Sequence, residues 1–253
     1  MAGFDFFRSS RRGYEPRTPA GALKAIGTGT LPVEHFIYAS TSAKPLDEEP
    51  FDLDGIERVL ARRDLTLETN LLLKGVFEKL INSSEQETAL FGAEGINALE
   101  ARHVNRIEEL KAAIEKGSAA HPPVETLRAL ARQYYELAEL HGGSGSIRLF
   151  YLREAFSTLR RAHRGGRISR STLVLMVDIL VALGLHGQAA LLLGRVRAAE
   201  DHLVLLLAAR VAFHRGEYSR VADCCRRLSA AAGALGERER AIVEFWAGGG
   251  ARA

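Results

Sequence analysis

The residues able to do chemistry in this 253-residue chain are spread along it rather than gathered. Its eight histidines show no metal-ligand spacing, and His186 and His202 flank one predicted helix, too far apart for the adjacent-turn arrangement that collects zinc ligands. His103 falls on an apolar helix stripe, where a hydrogen-bonded packing histidine is the expectation. Cys224 and Cys225 are neighbours on a predicted helix and point in different directions, which excludes an ordinary structural bridge between them and fits a reducing compartment. Gly27-Thr28-Gly29 lacks the preceding strand and following lysine of a phosphate loop, and no Gly-x-Ser-x-Gly nucleophile elbow occurs. No catalytic residue, cofactor site or metal site is therefore expected, and binding is the chemistry to look for.

Charge suggests two binding surfaces. Between residues 148 and 170 stand seven arginines, Arg148, Arg153, Arg160, Arg161, Arg164, Arg167 and Arg170, against one acid, Glu154. Such a patch suits an anionic membrane surface, an acidic protein or nucleic acid. RNA is the less favoured of these ligands. The opposite imbalance occurs at Asp47, Glu48, Glu49, Asp52 and Asp54.

The elements that must position these groups are helices. A triplet recurs as Ala155, Leu159, Ala162, then Ala189, Leu193, Val196, then Val221, Cys225, Leu228, with starting positions 34 and 32 residues apart. A small first residue admits a second helix closely, and units of this kind must stack to bury their apolar faces. The pattern predicts an all-α chain, a right-handed α-solenoid of HEAT-like and tetratricopeptide-like helix pairs. Residues 1–50 hold five of the seven prolines and no sustained period, so an extended N-terminal arm is expected there. Residues 51–118 read as a HEAT-like region. It contains a helix over 53–61, another over 68–81 with Leu71, Leu72, Val76, Leu80 and Ile81 buried, and a long one opened by a Ser84/Glu87 capping box. Gly92 and Gly95 either admit close packing of that long helix or divide it. Residues 122–247 read as three tetratricopeptide-like pairs, 124–140 with 147–163, 172–183 with 187–197 and 202–215 with 218–231, closed by a capping helix over 237–246.

In such pairs the first helix lines a groove. Placing Gly184 and Gly216 in register puts Val174, Asp178, Leu206, Arg210 and His214 on that face, with Arg132, Tyr135 and Glu136 as the first pair's counterparts. A mixture of aromatic, cationic and anionic groups suits a peptide or helix of a protein partner.

Composition agrees with a water-soluble binder: 47% hydrophobic, 26% charged and a net charge of only +3. No segment approaches the roughly 20 apolar residues that span a bilayer. Met1 to Arg12 lacks the apolar stretch of a signal peptide, so cytoplasmic residence is expected, and Phe4, Phe6 and Phe7, interrupted by Asp5, read as a disordered or partner-docked tail more readily than as an interfacial anchor.

The segment Ser83–Lys111, followed by ARQYYELAEL at 131–140, resembles the cytoplasmic part of the PelE family of tetratricopeptide proteins in Pel exopolysaccharide biosynthesis. The resemblance covers about residues 51–230. It implies a scaffold without catalytic residues, working in biofilm polysaccharide synthesis beside membrane synthase and transporter subunits. Members of that family carry N-terminal membrane helices where this chain has its polar arm. It would therefore reach the inner membrane as a peripheral protein, through a partner, through its arginine patch or through Phe4 to Phe7.

Overall fold

The computed structural model describes residues 51–62, 65–116, 122–143, 145–163, 168–196, 201–229, 235 and 237–248. The expected arm at 1–50, with its phenylalanines, Gly27-Thr28-Gly29 and Asp47 to Glu49, lies outside the described residues, as do Arg164 and Arg167. The described residues form ten helices and no strand. The chain divides into two units, Met1–Ala61 and Arg62–Ala253.

In the first unit, α1 (Leu53–Leu60) is opened by Asp52, whose carboxylate accepts the Gly55 N–H at 2.9 Å. This satisfies one of the donors that a helix start leaves free.

The second unit holds α2 (Leu67–Ile81), α3 (Gln86–Lys116), α4 (Val124–Leu140), α5 (Gly145–Ala162) and α6 (Arg170–Ala182). It continues with α7 (His186–Gly194), α8 (His202–His214), α9 (Tyr218–Ser229) and α10 (Glu237–Gly248). Each helix packs on the next, and α2, α4, α6 and α8 also touch in order, so alternate helices form a row. The core is strung along the chain to match. One cluster joins α3 to α6 through residues such as Ile107, Leu137, Leu152 and Ile179. A second joins α6, α7 and α8 around Val177, Ala189 and Val211, and a third joins α8, α9 and α10 around Ala212, Cys225 and Val243. Each fully buried leucine or isoleucine in these clusters contributes roughly 1.5–3 kcal/mol relative to exposure.

The recurring triplets lie on α5, α7 and α9, except that Val196 follows the end of α7, and their leading residues Ala155, Ala189 and Val221 are buried. Two helix ends are built alike. After α6 the Leu185 N–H reaches the Leu180 carbonyl and the Gly184 N–H that of Val181; after α8, Glu217 and Gly216 repeat this with Ala212 and Phe213. Gly184 and Gly216 both adopt φ +73°, the left-handed conformation this cap requires.

Two expectations need correction. The buried side of α2 is Asn70, Leu73, Val76, Phe77 and Leu80, whereas Leu71, Leu72 and Ile81 are exposed. The helix is phased by Phe77, whose ring lies where a side chain at Gly95 would stand. A Cβ at Gly92 would come within 2.8 Å of the Phe77 carbonyl oxygen. Both glycines therefore serve close approach of α3 to α2, and α3 runs unbroken through them. At the start of α3 the side-chain bond comes from Ser83, whose hydroxyl accepts the Glu85 N–H at 3.2 Å, and the helix begins at Gln86.

Candidate functional site

An open groove of about 1360 Å³ lies between α2, α3, α4 and α6. Of the eight residues expected on a groove, Arg132, Tyr135, Glu136, Val174 and Asp178 line it. The other three stand on α8. Arg210 reaches back to α6 and pairs with Asp178. Leu206 packs against the α8–α10 core, and the exposed His214 stacks on His186 with ring centroids 5.2 Å apart. The α8 end thus turns Arg210 and His214 to internal contacts, with Arg210 Nε buried and without a hydrogen-bond partner.

The floor of the groove is a polar chain that crosses three helices. Asn70 on α2 is 1% exposed and His103 on α3 is 3% exposed, both far below the usual exposure of such residues. Asn70 Nδ2 lies 3.3 Å from His103 Nε2, and His103 Nδ1 lies 2.9 Å from Gln133 Oε1 on α4. Gln133 Nε2 donates to Glu136 Oε2 at 3.3 Å. Burial lowers the His103 pKa, the Gln133 bond opposes this, and the Arg102 guanidinium adds to the lowering. Burial raises the Glu136 carboxyl, against Arg132 and Gln133. Asn70 Oδ1 is buried with no hydrogen-bond partner.

Around this floor the charges differ in how far they are engaged. Arg106 is held by Glu109 at 2.7 Å. Arg132 is exposed and forms no ion pair among the described residues, acting on Glu136 only through space. The Tyr135 hydroxyl is pushed strongly up by burial and by the carboxylates of Glu139 and Asp178, so it remains a neutral donor. With Val174 and Leu175 it gives the groove an apolar wall beside the polar floor. Such a surface can exchange hydrogen bonds and cover an apolar side chain together.

The arginine run does not form one free patch. Arg148 donates to Glu139 at 2.9 Å and to the Ala182 carbonyl at 3.3 Å, so it ties α5 to α4 and α6. Arg170 pairs with Asp201, the N-cap of α8. Arg153, Arg160 and Arg161 are exposed and form no ion pair among the described residues.

Cys224 and Cys225 are free and buried, and burial pushes both thiols up, Cys225 to about 11, so neither is a ready nucleophile. Among the described residues no group of three or more His, Cys, Asp or Glu side chains is placed to hold a metal ion. No described helix is long and apolar enough to cross a membrane.

Asn70 and Gln133 were not legible as site residues from spacing alone. The one signal is that Asn70 precedes Leu73, Phe77 and Leu80 at helical intervals, a polar residue inside an apolar stripe. No family model, no curated protein and no solved structure matches the chain.

Proposed function

We propose that this protein is a noncatalytic scaffold or adaptor whose groove receives a segment of a protein partner, the helix pairs forming a right-handed α-solenoid of HEAT-like and tetratricopeptide-like units. The observation that carries this reading is the distribution of polar capacity in the groove. At the α8 end Arg210 is paired with Asp178, although its Nε is buried with no hydrogen-bond partner, and His214 stacks on His186. Between α2, α4 and α6, Arg132 is exposed and forms no ion pair among the described residues. Partner binding is best supported where hydrogen-bonding capacity is unspent, and a packed row of helices loses little freedom on binding.

A narrower version places the adaptor in a bacterial complex that makes or exports a polysaccharide; the resemblance at 83–111 and 131–140 is its support. The alternative, a regulatory module for anionic membrane or nucleic acid, retains Arg153, Arg160 and Arg161 as exposed cations, whereas Arg148 and Arg170 are engaged internally.

The test is quantitative affinity purification from the native host in mild detergent with wild type, Arg132→Glu and the double variant Arg153→Glu/Arg160→Glu. Partners lost from Arg132→Glu alone are the result expected, and a glycosyltransferase or transporter among them would support the narrower version. Partners kept by Arg132→Glu and lost from the double variant would overturn the groove in favour of the arginines.

A further inference from the structure

The polar chain under the groove has a direction. A carboxylate only accepts, so Gln133 presents its NH₂ to Glu136 and its carbonyl oxygen to His103. His103 Nδ1 must then carry the ring hydrogen, and Nε2 accepts from Asn70 Nδ2. A proton on Nε2 would meet that N–H head-on. The arrangement as it stands holds only a neutral imidazole. If Nε2 takes a proton from solvent, a half turn of the Asn70 amide breaks Nδ2–H···Nε2 and forms Nε2–H···Oδ1. The turn puts the NH₂ where the oxygen now finds no partner, and the cation stays buried with Arg102 nearby, so the charged state is held less firmly than the neutral one.

The charges around His103 bear on both states. On α3 they are Arg102 and Arg106, the latter held by Glu109. On α4, Arg132 opposes an added proton, whereas the Glu136 carboxylate, 3.8 Å from Nδ1, favours it. On α2 the charge is Glu68, which lines the same groove. Across the groove on α6, Asp178 is occupied by Arg210.

We propose that Asn70, His103, Gln133 and Glu136 form a proton-operated latch that fastens α2 and α3 to α4 while His103 is neutral and releases that junction when the imidazole takes up a proton. Its consequence for binding rests on the groove reading above: acidification loosens the floor beneath the bound segment. A buried histidine between two helices is a common site for such a response.

The experiment uses the full chain without any partner, so the latch and the groove reading fail independently. Imidazole ¹⁵N resonances and backbone amide exchange corrected for intrinsic rates are followed from pH 8 to 5 in wild type, His103→Gln and Asn70→Asp. Wild type should show the Nδ1–H neutral tautomer at pH 8, and a transition in which His103 charges and the amides of α2 and α4 lose protection together. His103→Gln should abolish that local transition. Asn70→Asp places an anion beside Nε2 and should move the midpoint up by about 1–3 pH units, the range for an opposite charge at contact. A wild-type Nε2–H tautomer or imidazolium at pH 8, a loss of protection that survives in His103→Gln, or an unmoved midpoint in Asn70→Asp would each overturn the latch.

Discussion

Arg210 on α8 pairs with Asp178 on α6, and both side chains are mostly buried, at 29% and 20% exposed. The pair joins alternate helices of the row directly, across the groove side. Arg210 therefore cannot be reversed as a neutral probe of binding. Arg210→Glu sets two carboxylates against each other at a partly buried contact and should cost about 1–3 kcal/mol, the range for a charged hydrogen bond. For a unit of this size that corresponds to a fall in Tm of roughly 2–4 °C per kcal/mol. A double-mutant cycle with Asp178→Asn, read by thermal melting, should show coupling; additive losses would mean that the two side chains do not interact in solution.

Gly95 illustrates a substitution in which helix propensity and packing oppose each other. Alanine in a helix interior is favoured over glycine by about 1 kcal/mol. At Gly95, however, a Cβ would fall inside the ring of Phe77, a side chain with no exposed surface. Gly95→Ala should therefore destabilise despite its propensity, through overpacking worth about 1–3 kcal/mol. Phe77→Leu in the same chain should recover part of the loss. Chemical denaturation of the two single variants and the double variant checks this, and a stabilised Gly95→Ala would show that α2 and α3 stand further apart.

What was legible in the sequence was local, and what was hidden was long-range. Ala189, Leu193 and Gly184 announce themselves because a small residue, a helical period and a glycine stop lie within a dozen positions. The face of α2 was misread because Leu71, Leu72 and Leu73 are equally apolar, so periodicity within the helix cannot phase it. The deciding contact is Phe77 against Gly95, on a different helix. The floor of the groove is hidden for the same reason. His103 meets Asn70 and Gln133, 33 and 30 residues away in sequence. Arg148 reads as part of a basic run, yet the Ala182 carbonyl it holds is 34 residues on.

Ala189 tests the repeat itself. It has no exposed surface, leads the middle triplet, and is surrounded by Leu173, Val177, Leu180, Val204 and Val211 of the flanking helices. Ala189→Trp inserts a bicyclic ring where α7 approaches α6 and α8, so it should lower Tm by several degrees and leave far-UV circular dichroism largely unchanged. Leu191→Trp, at a position 67% exposed on the same helix, is the control expected to melt like wild type. Equal melting of the two variants would mean that the triplet does not mark the buried face.

The response of stability to pH should be carried in opposite senses by two members of the groove floor. His103 is lowered from its ordinary 6.5, so the folded state binds fewer protons than the unfolded one in that range. Its contribution is complete above 6.5 and is lost as pH falls from there through the folded value. Glu136 is raised from 4.5, so its contribution is complete below 4.5 and is lost as pH rises through the folded value. At neutral pH the ionised Glu136 therefore works against folding, while in acid its carboxylate is the anion nearest an imidazolium at His103. Glu136→Gln should then melt at or above wild type at pH 7.5, because a glutamine there can still accept from Gln133 without a charge to bury. Below pH 6.5 the same variant should lose stability more steeply than wild type, since nothing offsets the charge on His103. Thermal melts of the two proteins at half-unit intervals between pH 8 and 5 test both limbs. Parallel curves would show that Glu136 and His103 titrate without sensing each other.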